Sequence, residues 1–180
     1  MNLYMVKRIF DIFLSYIGLF FLFPWWIIFA FAIWLEDGLP IFYIQERVGK
    51  KARIFRAIKF RTMYYRKQSS AIAKFLRNSA LDESPQLINI MKGEMSFVGP
   101  RPLIPQEINL GDNLDLRSSI PPGLTGIAQV AAPKDAPLTE KLKYDIWYIE
   151  NQSILLDMLL ILRSFWMSLN KRWDITKNRG

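Results

Sequence analysis

Cysteine and histidine are both absent from the 180 residues. Without cysteine there is no disulfide framework, no thiol nucleophile and no thiolate metal site. Without histidine there is no Ser-His-Asp or Cys-His relay and no imidazole proton shuttle. Chemistry is left to carboxylates, hydroxyls, lysine, arginine, backbone amides, or a metal held by oxygen ligands. Acidic residues are the scarcer charge: 16 Asp and Glu against 24 Lys and Arg leave a net charge of +8. Disorder is excluded by composition, because 51% of residues are hydrophobic and 14% aromatic. The length suits roughly one domain.

The apolar residues are unevenly spread. Between Ile9 and Leu35 the only charge is Asp11. As one helix this run is about 40 Å long, against a bilayer core of about 30 Å. A membrane-embedded segment is the first reading. A cleaved signal peptide fits less well, because the run exceeds the roughly 7–15 residues of an h-region and FAIWLEDG has no small-x-small site. A core helix would need more surrounding chain than remains. Basic residues flank both ends: Lys7 and Arg8 before it, and Arg47, Lys50, Lys51, Arg53, Arg56, Lys59 and Arg61 after it. Basic flanks favour the cytoplasmic side, and a straight span must place one of them outside. A helix that enters and returns satisfies both. Pro24, mid-run, removes a helical hydrogen bond and bends the chain. Proline is also tolerated in ordinary kinked spans, so pattern alone leaves hairpin and span open.

The remainder reads as one cytosol-facing domain. Ile41–Arg47 and Arg53–Arg61 are expected as strands around the Gly49-Lys50-Lys51 turn. Ala71–Asn78 and Asp82–Met91 are expected as helices, the second with Pro85 in its first turn. Residues 99–137, rich in proline and glycine, are expected to be long and irregular, a pattern associated with function in compact domains. Leu138–Glu150 reads as helix. Ser153–Trp173 is apolar with spaced charges at Asp157, Arg163, Lys171 and Arg172, and carries Phe165, Trp166 and Trp173. That suits a helix lying in the membrane interface, with a core helix as the alternative.

The sharpest chemical feature is Leu81-Asp82-Glu83-Ser84-Pro85. Two adjacent carboxylates sit at an expected helix start, where free N–H groups and the macrodipole favour their ionised form. An ordinary acidic first turn would look the same. The surrounding cations argue for more: Arg77 upstream, Arg101 between Pro100 and Pro102, Arg117 before Pro121-Pro122-Gly123, and Lys59 and Arg61 in KFRTM. Carboxylates for Mg²⁺ set among Arg and Lys for phosphate make a phosphate-plus-metal site. The bland alternative is a basic surface attracted to anionic lipid. No nucleic-acid motif is present.

Taken together the strings KRIFDI, QERVG, KFRTM, FLRNSALDESPQLINIMKGEMSFVGPRP, PPGLTGIAQV and YDIWYIENQSILLD resemble the bacterial sugar transferases, specifically the small monotopic phosphoglycosyl transferases. The resemblance runs from Lys7 to about Leu169, and its central block is long and specific. It implies transfer of a sugar phosphate from a UDP-sugar to a polyprenol phosphate, commonly undecaprenyl phosphate, at the cytoplasmic face of the bacterial inner membrane. It implies Asp82 as nucleophile through a covalent phosphosugar intermediate, Glu83 in the same site and associated with Mg²⁺, and a re-entrant helix broken at Pro24. A carboxylate nucleophile needs no base, so the missing histidine is no obstacle. Membrane lipid is then a partner and nucleic acid is not, with the oligomeric state open.

The chain departs from the family at four places. Phe23 stands where a serine often precedes the breaking proline, and Pro121 where a basic residue is usual. Ile127 replaces a tryptophan, and Ala131-Ala132-Pro133 replace an Asn-Gly-Arg run. The expected fold is α+β and predominantly helical. Residues 1–38 form a re-entrant hairpin, and residues 39–180 form the catalytic domain with an interfacial helix at about 153–173. A glycosyltransferase releasing UDP and a non-enzymatic basic membrane-surface protein are the competing readings.

Overall fold

A computed structural model describes residues 3–63, 70–107, 114–133 and 135–169. The apolar run forms one helix, α1 (Leu3–Asp37), which continues through Pro24. The helix-break-helix expected at Pro24 is thus a single helical element. A proline removes one hydrogen bond, and the turns on either side retain theirs. The helix buries Lys7, Asp11, Ser15, Trp26 and Ile33. Their spacings of four, eleven and seven put them along one stripe. The opposite face exposes Phe13, Phe20, Phe21, Trp25, Ile28 and Phe31.

Strands β1 (Phe42–Val48) and β2 (Ile54–Phe60) form an antiparallel hairpin with Phe42 opposite Phe60. Both lie within a residue of their expected positions. The connection is tight enough to put Lys51 and Ala52 at positive φ. Helix α2 (Ala71–Asn78) is capped by Ser70, whose hydroxyl accepts from the Ala73 amide at 3.0 Å. The helix expected over 82–91 is instead a 3₁₀ turn at Leu81–Glu83 followed by α3 (Gln86–Lys92). Ala80, at φ 57°, turns the chain into it. Gly93, at φ 85°, ends α3 in the left-handed conformation that glycine adopts without strain.

The proline- and glycine-rich stretch is more regular than expected. Strand β3 (Ser96–Val98) pairs in parallel with β4 (Gly123–Thr125), and α4 (Leu114–Arg117) and α5 (Ile127–Ala131) flank the pair. Three-residue strands carry too little alternation to be read from sequence. Close backbone approach explains the glycines. A Cβ on Gly123 would lie 2.1 Å from the Gly99 nitrogen, and one on Gly126 would lie 2.2 Å from the Gly99 oxygen. Gly123→Ala is therefore expected to destabilise the fold by about 3 kcal/mol or more, because backbone must move. Thermal unfolding of the purified protein in detergent checks this; an unchanged midpoint would show that β3 and β4 separate freely.

Helices α6 (Leu138–Glu150) and α7 (Ile154–Leu169) complete the described residues. The expectation for 170–173 lies outside the described residues. Three buried clusters hold the elements together. Phe55, Ala57, Leu87, Ile90 and Met95 join the hairpin to α3. Trp26, Ile33, Phe60 and Leu76 join α1 to β2 and α2. Val98, Val130, Tyr148 and Leu160 join β3 to α5, α6 and α7. Phe60 is the hinge of the second cluster: Phe42 stacks on it at 5.2 Å, and Trp26 meets it edge-on at 6.0 Å.

Polar groups lock α1 to the domain at both ends. The Lys7 ammonium pairs with Asp157 at 2.5 Å and donates to the Tyr148 hydroxyl at 3.1 Å. Tyr148 in turn donates to Asp157 at 2.5 Å. Arg8 caps α3, donating to the Ile90 and Met91 carbonyls. Asp11 accepts from the Phe97 amide at 3.1 Å. At the other end, Arg61 donates to the Asp37 and Gly38 carbonyls and pairs with the Asp37 carboxylate at 3.2 Å.

Candidate active site

Residues 75–102 fold continuously as α2, the 3₁₀ turn, α3 and β3, so one sequence block forms one wall of the site. The turn is fastened from two sides. Ser84 donates to the Leu81 carbonyl at 2.7 Å and accepts from the Trp26 indole at 2.9 Å, tying it to α1. Asn89 accepts from the Ile58 amide and donates to the Arg56 carbonyl and to Glu94, tying α3 to β2. These bonds fix the two carboxylates against the hairpin.

Lys59 projects from β2 and pairs with Glu83 at 2.5 Å, both partly buried. A small, open cleft lies beside the pair. Arg47, Lys59, Glu83, Gln86, Arg101 and Gln129 supply its polar lining. Gln129 Oε1 is buried without a hydrogen-bond partner. Asp82, the neighbour of Glu83 in the turn, feels the same cations. Burial raises its carboxyl to about 6, the Glu83 charge adds to the rise, and Lys59 and Arg77 oppose it. The expectation that a helix start favours the ionised form of Asp82 is therefore corrected. Desolvation and an adjacent like charge outweigh the favourable backbone.

The expected phosphate ligands divide into two groups. Lys59, Arg77 and Arg101 lie around the carboxylates. Lys59 and the exposed Arg101 line the cleft, and the Arg77 charge acts on Asp82. Arg77 Nε is buried without a hydrogen-bond partner. Arg61 and Arg117 are committed elsewhere. Arg61 closes the end of α1, as described. Arg117, 5% exposed, pairs with the equally buried Asp145 at 3.0 Å and donates to the Arg101 carbonyl at 2.7 Å. Both guanidiniums are buried and hydrogen-bonded to backbone, so they hold structure where substrate contact was expected.

The sequence profile of the bacterial sugar transferases matches residues 2–171, nearly the whole chain. The chain belongs to the bacterial sugar transferase family. The exopolysaccharide production protein ExoY of Sinorhizobium fredii is 31% identical over 88% of this chain and 83% of its own length. The undecaprenyl-phosphate galactose phosphotransferase of Salmonella typhimurium is 30% identical over 88% of this chain but 39% of its own length. The undecaprenyl-phosphate glucose phosphotransferase of Komagataeibacter xylinus is 34% identical over 86% of this chain and 34% of its own. The chain thus spans about two fifths or less of these two phosphotransferases and most of the exopolysaccharide protein.

In this sugar transferase the donor set suits a particular kind of metal binding. Among the described residues no group of three or more acidic side chains converges. Glu83 lines the cleft and Asp82 adjoins it in the turn, so this pair is where carboxylate oxygens for a cation would come from. Mg²⁺ is commonly held by one or two carboxylates together with substrate phosphates and water, so the pair fits a cation that arrives with a diphosphate. Arg47, Gln86 and Gln129 went unweighed in the sequence as site residues. The signal for Arg47 was its place in QERVG, on the strand face that register aligns with Lys59.

Proposed function

We propose that the chain moves a sugar phosphate from a UDP-sugar to a polyprenol phosphate, most simply undecaprenyl phosphate, releasing UMP. The observation that carries this reading is the cationic cleft built around an adjacent carboxylate pair, in a chain whose relatives are named for undecaprenyl-phosphate sugar phosphotransfer. In the first half-reaction an Asp82 oxygen attacks the β-phosphorus of the donor. The bond from that phosphorus to the bridging oxygen breaks, and UMP leaves with the electron pair. In the second, an oxygen of the polyprenol phosphate attacks the aspartyl phosphosugar, and Asp82 leaves as carboxylate. Arg101 and Lys59 hold phosphate oxygens, and Arg77 offsets charge beside the nucleophile. Mg²⁺ bound by Glu83 and Asp82 would neutralise diphosphate charge during the displacement.

The membrane reading completes the proposal. Residues 1–38 enter and return on the cytoplasmic face of the bacterial inner membrane, which makes the protein monotopic. This is supported by the bonds that tie both ends of α1 to one domain. Helix α7 lies in the interface: Leu155, Met158, Leu159, Leu162, Phe165 and Trp166 form an exposed apolar stripe, while Asp157 and Leu160 face inward. A lipid-phosphate acceptor then reaches the cleft without leaving the bilayer surface.

Purified protein incubated with undecaprenyl phosphate, Mg²⁺ and a panel of UDP-sugars is expected to release UMP with at least one donor. Chelation of the metal is expected to stop release, and added Mg²⁺ to restore it. Release of UDP in place of UMP would mean transfer of the sugar alone. Full activity in excess chelator would remove the metal from the mechanism.

A further inference from the structure

The segment Pro100-Arg101-Pro102-Leu103 has no regular secondary structure, yet each of its four carbonyls is held. The Pro100 oxygen accepts from the Gly123 amide at 2.9 Å. The Arg101 oxygen accepts from Arg117 Nη2 at 2.7 Å. The Pro102 oxygen accepts from Arg47 Nη1 at 3.0 Å, and the Leu103 oxygen accepts from the Val48 amide at 2.9 Å. The donors come from β4, α4 and β1. Prolines on both sides of Arg101 restrict the backbone further. The result is an exposed arginine on an immobilised base, facing the cleft that Lys59 and Glu83 line.

The two arginine donors are built for two-directional work. Arg117 sends Nε to Asp145 and Nη2 to the Arg101 carbonyl. Arg47 sends Nη1 to the Pro102 carbonyl and Nη2 to Gln45 Oε1 at 2.6 Å. A lysine offers one ammonium on a flexible stem and lacks the rigid fork that serves two directions at fixed angles.

We infer that Arg117, backed by Asp145, and Arg47 are positioning residues that aim Arg101 at the donor diphosphate. This rests on the reading of Arg101 as a phosphate ligand. It gives Arg117 and the Asp145 of YDIWY a part in the reaction without contact to substrate. Fixing the backbone beneath Arg101 removes the main-chain part of the ordering cost that an arginine on a loose loop would meet on binding.

A double-mutant cycle tests the inference, with UDP as probe because every proposed donor carries its diphosphate. Isothermal titration of the full chain in detergent with Mg²⁺ is expected to show about thirtyfold weaker UDP binding for Arg101→Ala, the scale of a lost charge-assisted pair. Arg117→Lys and Arg47→Lys are each expected to weaken it about tenfold, the second with an unfolding midpoint near wild type and the first with a lowered one, because a buried acceptor loses its donor. The combined Arg101→Ala/Arg117→Lys protein is expected to bind like Arg101→Ala alone, because the positioning residue has nothing left to position. A further tenfold loss in that background would make Arg117 merely structural and overturn the inference, as would wild-type binding by Arg117→Lys. If Arg117→Lys fails to fold, the Arg47→Lys cycle with Arg101→Ala decides by the same criterion. Undiminished UDP binding by Arg101→Ala would overturn the phosphate-ligand reading itself, a different result from additivity.

Discussion

Asp82→Asn is expected to abolish UMP release, lowering turnover by on the order of 10⁴-fold or more. The substitution keeps the size of the side chain and removes the anion that attacks phosphorus. Wild type given donor without acceptor is expected to gain the mass of one phosphosugar on acid quench, and the Asn variant to gain none. Substantial turnover by the variant would move the nucleophile to Glu83, which lies beside it and lines the cleft. The pH behaviour follows from burial. The Asp82 carboxyl in the fold titrates near 6, above its ordinary value of 3.8. Turnover should therefore rise with pH through an acid limb at or below 6, as the nucleophilic anion appears. Stability runs the other way. Between about 4 and 6 the folded state holds a proton that the unfolded chain has lost, so stability from this group falls as pH rises through that window. Above it the folded protein carries a buried anion at a cost. Without metal, Asp82→Asn should accordingly raise the unfolding midpoint at pH 7, and this gain should vanish below about pH 4. A variant destabilised at pH 7 would show that the Asp82 anion is well solvated, contrary to its surroundings.

Local signals made part of this arrangement legible in the sequence. Alternation and the Gly49 turn marked the hairpin within a residue. Helix α2 was expected over the range it occupies, Ala71–Asn78, and the paired carboxylates marked the turn that faces Lys59. What escaped depended on distant partners. Lys7 and Arg8 look like a basic membrane flank, but their charges point inward: Lys7 meets Asp157 and Arg8 caps α3. Nothing near Lys7 announces a carboxylate 150 positions on. Arg61 and Arg117 share residue type and motif context with Arg101, yet they are buried and Arg101 is exposed. Whether an arginine meets solvent or a carbonyl is decided by the fold around it, and composition is blind to that. The strands β3 and β4 were hidden for another reason. Their signal was the glycines, which permit close approach but in sequence read as loop.

The anchoring of α1 sets up the second large effect. With cysteine introduced at Met5 in a chain that has no other, an impermeant reagent is expected to label wild type only from the cytoplasmic side of inner-membrane vesicles of known orientation. A 35-residue helix is about 50 Å long, ample for a span, and its outer face is apolar along its length. Hydrophobicity alone would therefore permit spanning. The opposing term is the set of bonds near the N-terminal end. A span with the domain in the cytoplasm would carry Lys7 away from Asp157, leaving a buried carboxylate unpaired at a cost of about 3–5 kcal/mol. It would also break the two Arg8 bonds to α3, about 1.5–3 kcal/mol each as charged donors. Pro24 weakens the helix at its middle, but α1 continues through it, so the proline alone does not hold the return. Pro24→Ala should consequently shift a smaller fraction of chains to the spanning orientation than the triple change Lys7→Met, Arg8→Met and Asp11→Asn. Periplasmic labelling of wild type would refute the re-entrant reading and leave the chemistry of the cleft standing. Equal labelling of the triple variant and wild type would shift the burden to Pro24 and to the apolar contacts of Trp26 and Ile33, which fasten the other half of the helix to β2 and α2.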